Sequence, residues 1–279
     1  MAAVTTERLM DIALDMAGYS EIPADSGIYY SGTRISHVLV GIDVGPAEVF
    51  MARQLGYHVV LAHRPPGYPG PVWEVYHRHV AQMEEYGVPH TVAQEAIASR
   101  YARLEAAALL HNYERVPSVA RLLEMPLLNI LSPLETIGRH LLKRIVDEAT
   151  AANPSTSLAE LTTVLGALPE LRSAPTAPQL MVGDWSQPVG VAAISHGAYL
   201  PPDWAIARAY LAHGIDTLIC AGIDGSEIQQ LSEGTLDRGA ILALGSSAMA
   251  SIGLNPYISR LRAEGLEVTS FSGVIEISH

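Results

Sequence analysis

The apolar run Val59-Val60-Leu61-Ala62 stops abruptly at His63-Arg64-Pro65-Pro66, and the run His37-Val38-Leu39-Val40-Gly41-Ile42 stops at Asp43. An imidazole, a guanidinium and a carboxylate therefore stand at the ends of two apolar segments. Neutral imidazole together with carboxylates holds zinc, manganese or iron. A guanidinium next to a metal ion costs Coulomb energy, and its planar fork suits a phosphate or carboxylate instead. His63-Arg64 thus admits two chemistries: one divalent metal with an anionic substrate held at Arg64 and Asp43, or an anion site with no metal. His111 and Glu114, in Leu109-Leu110-His111-Asn112-Tyr113-Glu114, follow a long apolar helix and add a second imidazole and carboxylate to the metal case. His196 ends a later apolar run, Val189–Ile194 followed by Ser195.

Other candidates carry less. His77-Arg78-His79 lies in a helical pattern, where residues two apart do not share a face, so it reads as solvated surface stacking on Tyr76 or Trp73. Gly222-Ile223-Asp224-Gly225-Ser226 and Gly245-Ser246-Ser247 are glycine turns able to offer N–H groups to a phosphate, though turn geometry alone accounts for their glycines. No HExxH, CxxC, GxGxxG, Walker A or GxSxG motif occurs.

The elements that must position these residues follow from the same stretch. Pro46–Leu55 has helical spacing and Gly56 is placed to end it, which gives strand, helix, strand from about Ser36 to His63. That order favours parallel strands, whose carboxyl ends are where ligands bind in open α/β sheets. An N-terminal amphipathic helix is capped by Thr5 or Thr6 and stopped near Gly18. After a Pro/Gly connector, helical patterns cover Trp73–Tyr86, Thr91–Leu110 and Val119–Leu123, and Pro126–Ile130 reads as a strand. Ser132-Pro133 opens a helix to about Thr150, Leu158–Leu165 forms another, and 173–178 reads as a loop.

A second α/β section begins near Val189, with helix Trp204–His213, strand Ile215–Cys220, helix Glu227–Leu231, strand Ile241–Leu244, helix Pro256–Ala263 and terminal strands from Leu266. Ala207-Arg208 before Gly214 echoes Ala52-Arg53 before Gly56, a faint internal duplication. The expected architecture is α/β in two lobes, 1–130 and 131–265, with 266–279 able to rejoin the first, and a cleft between them.

With 279 residues, 49% hydrophobic and 16% charged, the chain can bury a substantial core. Seventeen basic against 29 acidic residues, with no Lys/Arg run, argue against nucleic acid as a partner. The one cysteine, Cys220, lies in an apolar run, excludes an internal disulfide and fits a cytoplasmic protein with a buried thiol. No signal peptide is apparent, and the weakly polar stretch Ala240–Leu254 is short of the ~20 residues a membrane helix needs.

The order of motifs resembles the NGG-interacting-factor-three-like family, the type 2 homologues of GTP cyclohydrolase I. Ala24-Asp25-Ser26-Gly27 is similar to its Asp-Asn-x-Gly motif and Gly41-Ile42-Asp43-Val44 to its first strand end. His63-Arg64-Pro65 stands where the family has two histidines and a proline, and His111–Arg115 takes the place of a His-x-x-x-Asp stretch. Val191 through Gly222 looks like the family's glycine-rich late section. The resemblance implies a two-lobed fold, a dinuclear metal centre and toroidal hexamers.

Carried over, the family's five ligands fall on His63, Arg64, Glu114 (or, shifted by one, Arg115) for the acid, Ser246 and Ala250; at Arg64, Ser246 and Ala250 the family's ligand is lost. The expectation is a divergent hydrolase-like protein with one metal (Zn, Mn or Fe) or none at His63, His111 and Glu114. Arg64 would hold an anionic, phosphate-bearing or other small molecule, in a homo-oligomer. The alternative is a metal-free binding or assembly protein that keeps only the fold.

Overall fold

The computed structural model describes residues 4–223 and 239–277. In chain order they form β1 (Val4–Thr5), α1 (Thr6–Ala17), β2 (Gly27–Tyr30), β3 (Thr33–Ile35), β4 (His37–Gly41), α2 (Pro46–Gln54) and β5 (Val59–Ala62). A 3-10 turn, Val72–His77, precedes α3 (Arg78–Glu85), α4 (His90–Ala108), α5 (Arg115–Leu122), β6 (Leu127–Asn129) and α6 (Ser132–Ala152). Then come α7 (Leu158–Leu165), α8 (Pro169–Arg172), β7 (Gln179–Val182), β8 (Ala192–Ser195), α9 (Trp204–Ala212), β9 (Thr217–Cys220), β10 (Ala240–Ala243), α10 (Ser246–Ala263) and β11 (Glu267–Phe271). The expected helix Glu227–Leu231 and the turn residues Asp224-Gly225-Ser226 lie outside the described residues.

The chain divides into two compact units, the first from Met1–Val75, Ala106–Gly138 and Ala250–His279, the second from Tyr76–Glu105 and Arg139–Met249. The division differs from boundaries at 130 and 265: 76–105 go with the second unit, and 131–138 and 250–265 with the first. The reason is packing, because Leu254, Tyr257, Ile258 and Leu261 of α10 join the same core as α1 and β4.

The first unit is built on a sheet of order β11-β4-β5-β6-β2, parallel throughout except for β2 at its edge. β5 is buried at every position and β4 at all but His37, the near-continuous apolar pattern of strands covered on both faces. Thr5 caps α1 by accepting from Arg8 N, and Gly18 ends it at φ 75°. Gly253 of α10 faces the Leu134 carbonyl so closely that a Cβ there would collide with it.

The second unit has the order β7-β10-β9-β8, with β7 antiparallel to β10 and the other pairs parallel. Its core gathers Met83 and Val88, Ile97 of α4, Ile206, Ala207 and Tyr210 of α9, and Leu218 of β9. Asp203 caps α9 by accepting from Ile206 N. Gly56 and Gly214, the two positions paired by the faint duplication, both adopt positive φ (81° and 92°) after their helices.

Three expectations change in detail. Trp73–Tyr86 is broken into a 3-10 turn and α3. α10 begins at Ser246, ten residues before the expected Pro256, and carries that proline inside it. His79 is fully buried rather than solvated, its ring edge-on to Tyr76 at 4.7 Å, while His77 packs on Tyr101.

Candidate functional site

His63 directly follows β5, and its backbone continues the ladder by donating to Gly41 O at 2.8 Å. The side chain is 1% exposed. Its Nδ1 donates to the Ile130 carbonyl at 3.3 Å, and its Nε2 stands 3.6 Å from Glu135 Oε1. Glu135 lies in the first turn of α6, whose start follows β6, the neighbour of β5. The sheet register thus delivers an imidazole and the next helix a carboxylate to one point in the first unit.

A second acid lies close by. Asp25 is fully buried and accepts from Ser132 Oγ at 2.6 Å, Ser26 Oγ at 3.2 Å and Ser132 N at 3.4 Å. Burial pushes its carboxyl up to about 6; the Ser132 hydroxyl opposes that rise, and the charge of Glu135 adds to it. Asn129 at the end of β6 donates to Asp25 O at 2.7 Å and accepts from Tyr29 OH at 2.8 Å. Leu131 N donates to Ser26 Oγ at 2.9 Å, so the segment at 25–26 is tied to the entry of α6 at several points. Ser132 and Glu135 are three apart on a helix and share a face.

A carbonyl only accepts, so Nδ1 carries a proton, and in the neutral imidazole Nε2 then presents a lone pair to the Glu135 carboxylate. Two acceptors facing each other in a buried site repel unless a cation stands between them. A shared proton would draw a charge-assisted pair to ~2.7–2.9 Å, shorter than the 3.6 Å found. Metal–ligand bonds of ~2.0–2.2 Å to nitrogen and oxygen sum to more than that gap, so both atoms can reach one ion.

Arg64 points elsewhere. Its guanidinium meets both oxygens of Asp43, at 2.9 and 3.1 Å, with the two side chains 43% and 64% exposed. This pair borders a depression of about 310 Å³ that also includes Glu48 and Ser272. Glu48 accepts from Gly45 N at 2.8 Å and so occupies the N-terminus of α2 with the chain's own carboxylate. The two residues expected to bind substrate are therefore adjacent, and they neutralise each other.

The expected metal trio does not assemble. His111 is exposed and stacks on Tyr113 at 5.5 Å, and Glu114 is paired with Arg121. Among the described residues no group of three or more His, Cys, Asp or Glu is placed to hold a metal ion. Two side chains, His63 and Glu135, meet in the way the trio was expected to. Ser246 is exposed at the start of α10, and Ala250 is buried in the core. A dinuclear centre does not fit these residues, while His63 and Glu135 bring two donor atoms to one point.

Asp25, Ser132 and Glu135 are not legible as chemistry in the sequence because each doubles as local punctuation, and Asn129 is hidden in the apolar strand β6. Asp25 sits in a short polar loop, and Ser132-Pro133 with an acid three residues on is a helix start signal. Cys220 is buried, and burial pushes its thiol up to about 12, so it is an inert core residue.

A NIF3 superfamily protein from Sphaerobacter thermophilus shares 40% identity over 98% of this chain and 100% of its own, with a TM-score of 0.94. The chain belongs to the NIF3 superfamily. HcgD from Methanocaldococcus jannaschii (TM-score 0.58, 10% identity, 97% of this chain and 98% of that one) has the same fold. So does a Bacillus cereus protein related to NIF3 (TM-score 0.52, 10% identity, 98% and 97%). No family model matches the sequence, and no curated protein does.

Among the described residues no helix is long and apolar enough to cross a membrane.

Proposed function

We propose that this chain is a hydrolase-like member of its superfamily that works with one divalent cation, held by His63 Nε2 and the Glu135 carboxylate. The observation that carries this reading is the approach of those two acceptors to 3.6 Å with the imidazole proton committed to Ile130. An ion bound there would lower the pKa of a coordinated water and polarise a carbonyl or phosphoryl oxygen. Ile130 fixes the imidazole tautomer, and the α6 backbone holds Glu135. Asp25, whose carboxyl burial raises to about 6, accepts from Ser132 in the same cluster and bears on Glu135 through its charge.

Arg64 serves an anionic small molecule, such as a phosphate-bearing one, by exchanging Asp43 for the ligand's oxygens. Self-association, with the hexamer the family resemblance implies, is supported by the exposed Leu109, Leu110 and Leu122, and a cytoplasmic location by the lone buried cysteine.

Thermal unfolding of the metal-loaded protein tests the proposal. A chelator is expected to lower its Tm, and readdition of Zn²⁺ or Mn²⁺ to restore it. A Tm indifferent to both would favour the metal-free binding module, the reading that the Arg64–Asp43 ion pair supports.

A further inference from the structure

The second unit holds a serine–histidine pair that the metal reading does not use. Ser195 is the last residue of β8, and His79 lies in the first turn of α3. Ser195 Oγ is 3.3 Å from His79 Nδ1, and His79 Nε2 is 3.0 Å from the Leu200 carbonyl. Nε2 must be the protonated nitrogen, because a carbonyl only accepts. Nδ1 then carries the lone pair, and the Ser195 hydroxyl is the donor to it. A nucleophile, a base and a group orienting the base are arranged in series, the relation that activates serine in unrelated folds.

Two further observations single this place out. Gln82, one turn on from His79, donates from Nε2 to His196 O at 2.6 Å, while its buried Oε1 has no hydrogen-bond partner. An acceptor left buried in this way is costly and calls for a donor. The turn leaving Ser195 places Gly197 at φ 82° and Tyr199 at φ 70°; for a tyrosine that is a strained conformation of the kind that clusters at functional sites.

We propose that Ser195 is a nucleophile for acyl transfer, with His79 as its general base. The substrate class is a small ester whose acyl part bears a hydroxyl or amide N–H to meet Gln82 Oε1. In the first step a bond forms between Ser195 Oγ and the acyl carbon while the hydroxyl proton moves to His79 Nδ1. The ester C–O bond then breaks, and the same proton leaves on the alkoxide as an alcohol. Water, deprotonated by His79, attacks the acyl-serine, and the proton returns to Ser195 as the carboxylic acid departs. His79 keeps its Nε2 proton throughout these steps, donating it to the Leu200 carbonyl. Ser195 is 1% exposed, so substrate enters by a transient opening of the turn after β8, and the Leu200 carbonyl returns to His79 before the chemistry begins.

The full chain is treated with a fluorophosphonate probe, with and without EDTA, and the adduct is located by peptide mapping. One adduct on Ser195 is expected, equally with and without EDTA, which separates this site from the metal site. His79→Gln is expected to slow labelling by ~100-fold or more, and Ser195→Ala to abolish it. No adduct on Ser195 in the unaltered protein overturns the proposal, whatever the fate of the variants. Equal labelling rates in His79→Gln overturn it too.

Discussion

His63 Nε2 and Glu135 Oε1 face each other across 3.6 Å, one from the end of a central parallel strand and one from the first turn of the helix after the next strand. In the neutral imidazole whose one proton serves Ile130, neither atom can donate to the other. Glu135→Gln removes the negative charge but keeps the shape. It is expected to weaken divalent-ion binding by ~10-fold or more, read by isothermal titration with Zn²⁺ or Mn²⁺. Unchanged affinity would remove Glu135 from the site.

Asp25 makes stability depend on pH in a definite sense. Its folded-state pKa, about 6, lies above the ordinary 3.8. Between those values the folded state binds more protons than the unfolded one, so stability falls as pH rises from about 4 to 6 and the loss is complete above 6. Two pKa units correspond to roughly 3 kcal/mol as an order of magnitude. Asp25→Asn is expected to flatten that fall, measured by denaturant unfolding at several pH values. An identical slope in the variant would contradict the assignment.

Arg64→Ala separates ligand binding from stability. The exposed ion pair with Asp43 is worth little, about 0–1 kcal/mol, so the Tm without ligand should barely move. Stabilisation by inorganic phosphate should disappear. A variant that phosphate stabilises as well as the unaltered protein would exclude Arg64 as the anion contact.

Gly253 tests the packing of α10 on the entry to α6. A methyl at this position meets the backbone carbonyl of Leu134, which cannot rotate away. Gly253→Ala is therefore expected to destabilise the protein by about 1–3 kcal/mol, with loss of metal affinity if α6 shifts and carries Glu135 with it. Wild-type stability in urea would show that the helices separate freely at this point.

Much of the fold was legible in the sequence, because its signals are local. The βαβ unit from Ser36 to His63 appears as read, with Gly56 in the left-handed conformation that ends α2. The end of β5 at His63-Arg64 is also legible, because an apolar run stops there at polar residues. The partners of those groups were not legible. Glu135 reaches His63 through the pairing of β5 with β6, and Asp25 reaches Ser132 across 107 positions. Glu114 looked as good an acid as Glu135 because spacing along the chain does not show which loop the sheet register brings to His63. His79 was misread for a related reason: a helix surface is known only once its neighbours are, and β8 covers this one.

The central claim is that His63 and Glu135 hold one metal ion, and metal content tests it most directly. The protein is purified without chelator from metal-replete medium, freed of loosely bound ions by gel filtration, and analysed by plasma mass spectrometry beside His63→Ala. The account predicts close to one divalent ion per chain in the unaltered protein, as a single-ion site requires, and a small fraction of that in His63→Ala. Metal-free protein under those conditions, or equal metal in both, would contradict it.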